Sequence, residues 1–244
     1  MAATEHTHPS SVGHHHAEAH GEDFTAINKA HWDEFASRYT EQQWQRDMIS
    51  QITTFLQSHA SWTGVKPTDR VLDYACGPGT ITNAFGARAA EYQGIDLSDK
   101  MVEAYNARFQ LQSDFNATAV VGNLITEGDS LPEHFSDPKF FNFDVAAIGL
   151  GFHHFENLEL CLQRLTERIK PGGTLIIVDF LSHEPEERFH KIVAHHGFSQ
   201  GQIKRLFEEA GLVDVDIVVM DGEVLMHERL PRKVFAARGR KPKE

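Results

Sequence analysis

The sequence predicts an α/β protein: a doubly wound, mostly parallel, seven-stranded sheet of Rossmann-like type with an N-terminal helical lid. Three observations predict it. Apolar runs alternate with helical stretches from about residue 69 to residue 238. Several runs, Phe143 to Ile148 and Gly173 to Phe180 among them, are nearly continuous, as strands are when helices cover both faces of a sheet. A glycine-bearing turn, Cys76-Gly77-Pro78-Gly79, joins the first apolar run to the helical stretch after it.

The chain has 244 residues, 41% of them hydrophobic, which suits one such domain with extra helices. A formal net charge of −12 argues against a nucleic-acid surface, which needs clustered Lys and Arg. The one basic cluster, Arg232, Lys233, Arg238, Arg240, Lys241 and Lys243, reads as a strand and a solvated tail. No apolar run nears the ~20 residues that cross a bilayer, and the polar start resembles no signal peptide, so no membrane association is expected. Cys76 and Cys161 make no disulfide framework, and a reducing, cytoplasmic setting is expected. Oligomeric state is not legible.

Taken in order, residues 1–22 hold six of the sixteen histidines and too little apolar surface to fold. They read as a disordered tail, with loose metal binding as the alternative. Residues 23–66 read as the helical lid. Trp32, Phe35, Ala36 and Tyr39 make one apolar stripe at helical spacing, and Met48, Ile49, Ile52 and Phe55 make a second. Pro67-Thr68-Asp69 is a turn that opens the main domain, residues 67–240. Its strands are expected at Val71 to Ala75, Tyr92 to Asp96, Thr118 to Val121, Phe143 to Ile148, Gly173 to Phe180, Val213 to Met220 and Lys233 to Ala237. Helices are expected at Thr80 to Ala89, Lys100 to Gln110, Leu158 to Ile169 and Ser199 to Ala210.

Two features carry chemistry. The strand Val71 to Ala75 contains a carboxylate, Asp73, and runs into the Gly77 and Gly79 turn, whose bare backbone admits a ligand closely. The second strand ends in Asp96, 23 residues beyond Asp73, where an acid can hold both hydroxyls of a ribose. Ser98 follows as a helix N-cap. A nicotinamide-binding loop would carry a third glycine at position 82, where Thr82 stands, and Asp73 would repel its pyrophosphate. An acid there suits the ammonium of an amino-acid moiety.

With these residues the chain resembles the class I S-adenosylmethionine (SAM)-dependent methyltransferases, and within them the small-molecule branch similar to ubiquinone-type enzymes. The family loop, acid-x-Gly-x-Gly-x-Gly, appears as Asp73, Ala75, Gly77, Gly79, with Ala75 replacing the first glycine. The resemblance continues through Gly122-Asn123-Leu124, through Phe143 to Phe155, and through Ile169-Lys170-Pro171-Gly172-Gly173. It implies SAM as cofactor and a small-molecule acceptor. Ala75, Gly77, Pro78 and Gly79 would line the methionine part and Asp73 would reach its amino group. Asp96 would hold the ribose. Leu97, Met101, Asn123 and Leu124 would surround the adenine, with Asn123 accepting from its amine. Ile148 and Gly149 would sit beside the sulfonium, and Trp32 and Tyr39 would close over substrate.

Methyl transfer is an in-line displacement in which alignment supplies most of the acceleration, and a protonated acceptor also needs a base. His153, just after the fourth strand, is the candidate, with His154 behind it. His195 and His196 are read as a solvated loop. No metal is expected, because no carboxylate cluster follows Ile148-Gly149. Two alternatives stay open: a SAM-binding partner subunit without its own catalysis, and a nicotinamide-dependent oxidoreductase.

Overall fold

The computed structural model describes residues 24–39, 41–112, 116–125 and 133–243; the expected tail, residues 1–22, lies outside them. The chain begins with α1 (Phe24–Phe35), α2 (Gln43–Ser58) and the short α3 (Ala60–Thr63). There follow β1 (Arg70–Tyr74), α4 (Thr80–Phe85), β2 (Glu91–Asp96), α5 (Asp99–Gln110), β3 (Ala117–Val121) and β4 (Phe143–Gly149). Then come α6 (Leu158–Arg168), β5 (Ile169–Phe180), α7 (Gln200–Glu209), β6 (Val213–Val219), β7 (Val224–Met226), β8 (Leu230–Arg232) and β9 (Val234–Arg240).

Seven strands form one sheet in the order β3-β2-β1-β4-β5-β9-β6. β1 to β5 are parallel, and β9 runs antiparallel between β5 and β6. All seven expected strands are therefore present. The hairpin β7–β8 was not expected; its strands of three residues are too short to show a period. β5 begins at Ile169, within the stretch expected to be helix and turn, because Ile169 pairs with Phe143 across a register shift.

The period of two along the strands sorts the core into two layers. Val71, Val145, Ala147, Ile176 and Val178 face α2, α4 and α5, meeting Ile52, Phe55, Ile81, Phe85, Tyr105 and Phe109. Leu72, Ala146, Ile148, Leu175 and Ile177 face α6 and α7, meeting Leu162, Leu165, Ile203 and Phe207. The expected cap holds, Met101 N–H donating to Ser98 Oγ at 3.1 Å, and Ser199 caps α7 in the same way, its Oγ accepting from Gln202 N–H at 3.1 Å. The reversal of strand order beside β1 opens a crevice at the carboxyl ends of the strands, the usual ligand position in such sheets.

Candidate active site

The loop after β1 is bent by left-handed backbone at Ala75 (φ 52°), Gly77 (φ 50°) and Gly79 (φ 87°). At Ala75 that conformation costs an L-residue roughly 1–2 kcal/mol. The bend turns Gly77 N–H toward the end of β2, where it donates to Asp96 Oδ2 at 2.8 Å, while Ser98 N–H donates to Oδ1 at 2.9 Å. Burial pushes the Asp96 carboxyl up to about 6, and the two N–H bonds pull it back. A Cβ on Gly77 would meet no atom within 4 Å; it would project into open space.

That space is a cavity of about 830 Å³, within the ~300–1,000 Å³ of small-molecule sites. Nine of the residues proposed from sequence line it: Trp32, Tyr39, Ala75, Gly77, Asp96, Leu97, Met101, Asn123 and Gly149. An acid with spare lone pairs, a bare backbone at Gly77 and an apolar slot at Leu97 and Met101 suit a ribose, an amino-acid tail and a purine. The residues present fit SAM.

Six proposed residues lie off the wall: Asp73, Pro78, Gly79, Leu124, Ile148 and His153. Asp73 is 1% exposed and turned under the sheet's α4 face. Its Oδ2 accepts from Thr82 Oγ1 at 2.8 Å and Thr82 N–H at 3.2 Å, and Thr82 Oγ1 also meets Tyr105 Oη at 2.8 Å. The carboxylate thus satisfies the first turn of α4, and burial raises its pKa to about 7. Gly79 is demanded by packing, since a Cβ there would lie 2.3 Å from the Phe109 ring. Leu124 and Ile148 belong to the α6–α7 layer of the core.

Asn123 lines the cavity, but its Oδ1 accepts from Tyr74 Oη at 2.9 Å and from Ile125 N–H at 2.8 Å. Both lone pairs are used, so that oxygen is not free for an adenine amine. Tyr74 is the residue that sequence reasoning missed here: it lines the cavity and stacks on Phe155 at 5.5 Å. The period of two along β1, which sends Val71 to the α4 layer and Leu72 and Tyr74 together to the opposite layer, was the available signal.

The histidine pair is also reassigned. The turn Phe152–His154 sets the two rings side by side, 4.2 Å apart, with different partners. His153 Nδ1 bonds Asp179 Oδ1 at 2.7 Å, and His153 N–H donates to Oδ2 at 3.1 Å, in the protein interior. His154 lines the cavity instead. Its Nδ1 bonds the Ile192 carbonyl, which can only accept, so Nδ1 carries the hydrogen and Nε2 the lone pair. Burial first, then His153 beside it, holds His154 well below the usual imidazole range. His195 and His196 are not on the wall; His195 N–H donates to the His153 carbonyl at 3.0 Å.

The wall is completed by α1 and the turn that follows it. Trp32 meets the His154 ring edge-on at 5.2 Å, and Tyr39 bonds the Thr80 side chain, its phenol pushed up to about 12 by burial. Asp33 and Lys29 fasten the helix down: Asp33 accepts from Ser98 Oγ at 2.6 Å, and Lys29 Nζ donates to Asp99 as well as to Asp33. Among the described residues no group of three or more His, Cys, Asp or Glu could hold a metal, and no helix is long and apolar enough to cross a membrane.

The family model for a methyltransferase domain matches residues 39–217. The chain belongs to that methyltransferase-domain family. It is 30% identical over 159 residues to an uncharacterized methyltransferase of Schizosaccharomyces pombe, covering 61% of this chain and 55% of that one. It is 31% identical over 131 residues to a 2-phytyl-1,4-naphtoquinone methyltransferase of Nostoc sp., covering 52% of each. The matches thus span about half the length of these relatives. Among solved structures, the N-methyltransferase NodS of Bradyrhizobium japonicum, bound to S-adenosylhomocysteine, has the same fold: TM-score 0.61, 15% identity, covering 90% of this chain and 100% of NodS.

Proposed function

We propose that this chain binds SAM in the crevice at Ala75, Gly77 and Asp96 and methylates a small, partly apolar acceptor in the adjoining half of the cavity. The observation that carries the reading is the Gly77–Asp96 pair: a half-committed carboxylate and a bare backbone share one wall of a cavity sized for cofactor and acceptor. The net charge of −12 and the buried free cysteines Cys76 and Cys161 favour a cytoplasmic small-molecule enzyme over one acting on nucleic acid. The likeness to a naphtoquinone methyltransferase favours a ring-bearing acceptor.

SAM supplies an electrophilic methyl group and leaves as S-adenosylhomocysteine. Asp96 holds the ribose diol through the lone pairs that Gly77 and Ser98 leave free. Leu97 and Met101 flank the adenine. Residues 24–39 act as the lid: Trp32 and Tyr39 exclude water, and their closure fixes the alignment worth roughly 7–11 kcal/mol in such displacements. His154, already neutral at pH 7, takes the acceptor's proton at Nε2. His153 and Asp179 buttress that ring from behind, the two imidazoles lying 4.2 Å apart.

Calorimetry tests the binding step. Asp96→Ala should weaken SAM by about 1.5–3 kcal/mol, the scale of hydrogen bonds to a charged group. In the parent, SAM affinity should fall as pH drops through about 6, because protonation costs the carboxylate its acceptor capacity. Unchanged affinity in a folded Asp96→Ala protein, or tighter binding of NAD than of SAM, would sink the reading.

A further inference from the structure

The strap that joins β5 to α7, residues 181–199, closes over the turn carrying the histidine pair. Ala194 N–H and His195 N–H both donate to the His153 carbonyl, at 3.1 and 3.0 Å, and the Ile192 carbonyl accepts from His154 Nδ1. Which nitrogen of a neutral imidazole carries the hydrogen is set by the bond that the other nitrogen makes. The strap therefore decides that His154, a ring on the cavity wall, keeps its lone pair at Nε2. Ile192 reaches its place through a tight turn, in which the Phe189 carbonyl accepts from Ile192 N–H and Val193 N–H, both at 2.9 Å. The partly buried Phe189 ring anchors the upstream end of that turn.

What holds the Phe189 ring is the tip of the β7–β8 hairpin. Arg229 N–H donates to the Met226 carbonyl at 3.2 Å, closing a turn whose central residues, His227 (φ 49°) and Glu228 (φ 64°), both have left-handed backbone. Asparagine and glycine favour such positions; histidine and glutamate are strained there. Strain of this kind persists where the surroundings over-determine it, and it gathers at positions with a task. The surroundings are two aromatic rings: His227 meets Trp44 of α2 at 4.4 Å and stacks on Phe189 at 5.3 Å and 27°. Burial, then the nearby Arg188, holds His227 below the usual imidazole range, so it meets both as a neutral ring at pH 7. Glu186 of the strap pairs with Arg232 of β8, and Val224 of β7 is fully buried in the α2 layer, which roots the hairpin in the core.

We propose that His227 is a positioning residue for the base: docked on Trp44, its ring clamps Phe189, holds the Ile192 carbonyl on His154 and so keeps His154 in the tautomer that can accept a proton. The inference rests on the reading that His154 takes the acceptor's proton. Neither His227 nor Phe189 lines the cavity, so the effect reaches the reaction only through His154. The strained tip is then explained, because glycine would relax the turn but bring no ring to Phe189.

The experiment is long-range proton–nitrogen NMR of the histidine rings, on the full chain with S-adenosylhomocysteine at pH 7, the His154 signals being assigned by their loss in His154→Gln. The parent should show His154 as one tautomer, with its hydrogen on Nδ1 and Nε2 bare. His227→Gly relieves the strained backbone and removes the ring, so the hairpin should stay folded while a second His154 tautomer appears. Phe189→Ala removes the other half of the stack and should give the same mixture, so the result can be read even if one variant does not fold. His227→Phe returns a neutral ring and should restore the single tautomer. S-adenosylhomocysteine affinity should be unchanged in all three. A folded His227→Gly or Phe189→Ala protein that keeps the single tautomer overturns the proposal, and so does a His227→Phe protein that behaves like His227→Gly. A parent whose His154 carries its hydrogen on Nε2 overturns the proposal together with the base assignment beneath it, whereas a tautomer that the variants do not disturb overturns the proposal alone.

Discussion

α1 and α2 are neighbours in the chain and read alike in sequence, each with an apolar stripe at helical spacing, yet the fold uses them for opposite ends. α2 buries Met48, Ile52, Phe55 and Leu56 in the layer that also holds α4 and α5. α1 buries only Asn28, leaves Trp32 and Phe35 partly exposed, and is fastened by polar bonds from Asp33 and Lys29 to Ser98 and Asp99. Apolar burial is strong and indifferent to ligand; a few polar bonds at a rim are weak enough to break and remake. The segment read as one lid thus holds a core helix, α2, and a rim helix, α1, to which the proposed lid role falls.

Substitutions can break that distinction. The largest effect is expected from Ile52→Ala. Its side chain is fully buried, so the cavity should cost about 2–5 kcal/mol and lower the melting temperature by roughly 5–15 °C, with or without ligand. Thermal melts showing a loss confined to the unliganded protein would make α2 part of the lid after all.

Asp73, beneath α4 on the α2 side, gives the next effect and a pH signature. Its folded pKa of about 7 stands above the ordinary 3.8 of an unfolded aspartate, so the folded state holds the extra proton. The stability this provides is complete below about pH 4 and is lost as pH rises through about 7. Asp73→Asn removes the dependence. Its stability relative to the parent should therefore climb between pH 4 and pH 7, by up to a few kcal/mol, and level off above. Denaturant melts at pH 5 and pH 8 with the same difference would show that Asp73 is not held protonated by burial.

Trp32→Ala should do the reverse of Ile52→Ala, cutting turnover tenfold or more while moving the melting temperature by no more than a few degrees. The smallest effect is Asp33→Ala, about 1 kcal/mol of lid docking. Hydrogen exchange across residues 24–39 should quicken several-fold, with α2 unchanged, and S-adenosylhomocysteine should slow it again. Equal exchange in α1 with and without ligand would leave it a structural helix.

What the sequence made legible was whatever a local pattern decides. The strands, the loop at Gly77, the Ser98 cap and Asp96 at the end of β2 all follow from residues within one turn or one strand. What it hid depended on which way a side chain faces. Asp73 sits two residues before the bend, and only the packing of α4 on the sheet turns it inward, to Thr82. His153 and His154 lie on a 3₁₀ turn, where neither helix nor strand period applies, and their adjacent rings are told apart only by their partners, Asp179 and the Ile192 carbonyl. Sequence put the base at the first of the pair; the cavity wall belongs to the second.

The place of β9 bears on how the molecule is made. β6 is complete at Val219, but its sheet neighbour is β9, residues 234–240, which slots between it and β5. While the chain is being synthesised, β1 to β5 can already pair with one another, whereas the native neighbour of β6 is missing until Val234 to Arg240 emerge. The sheet therefore closes on an antiparallel strand that follows the other six in sequence, so this pairing step waits for residues 234–240. Until then the β5 edge stays open, exposing Val178 and Phe180 to whatever other strand arrives first.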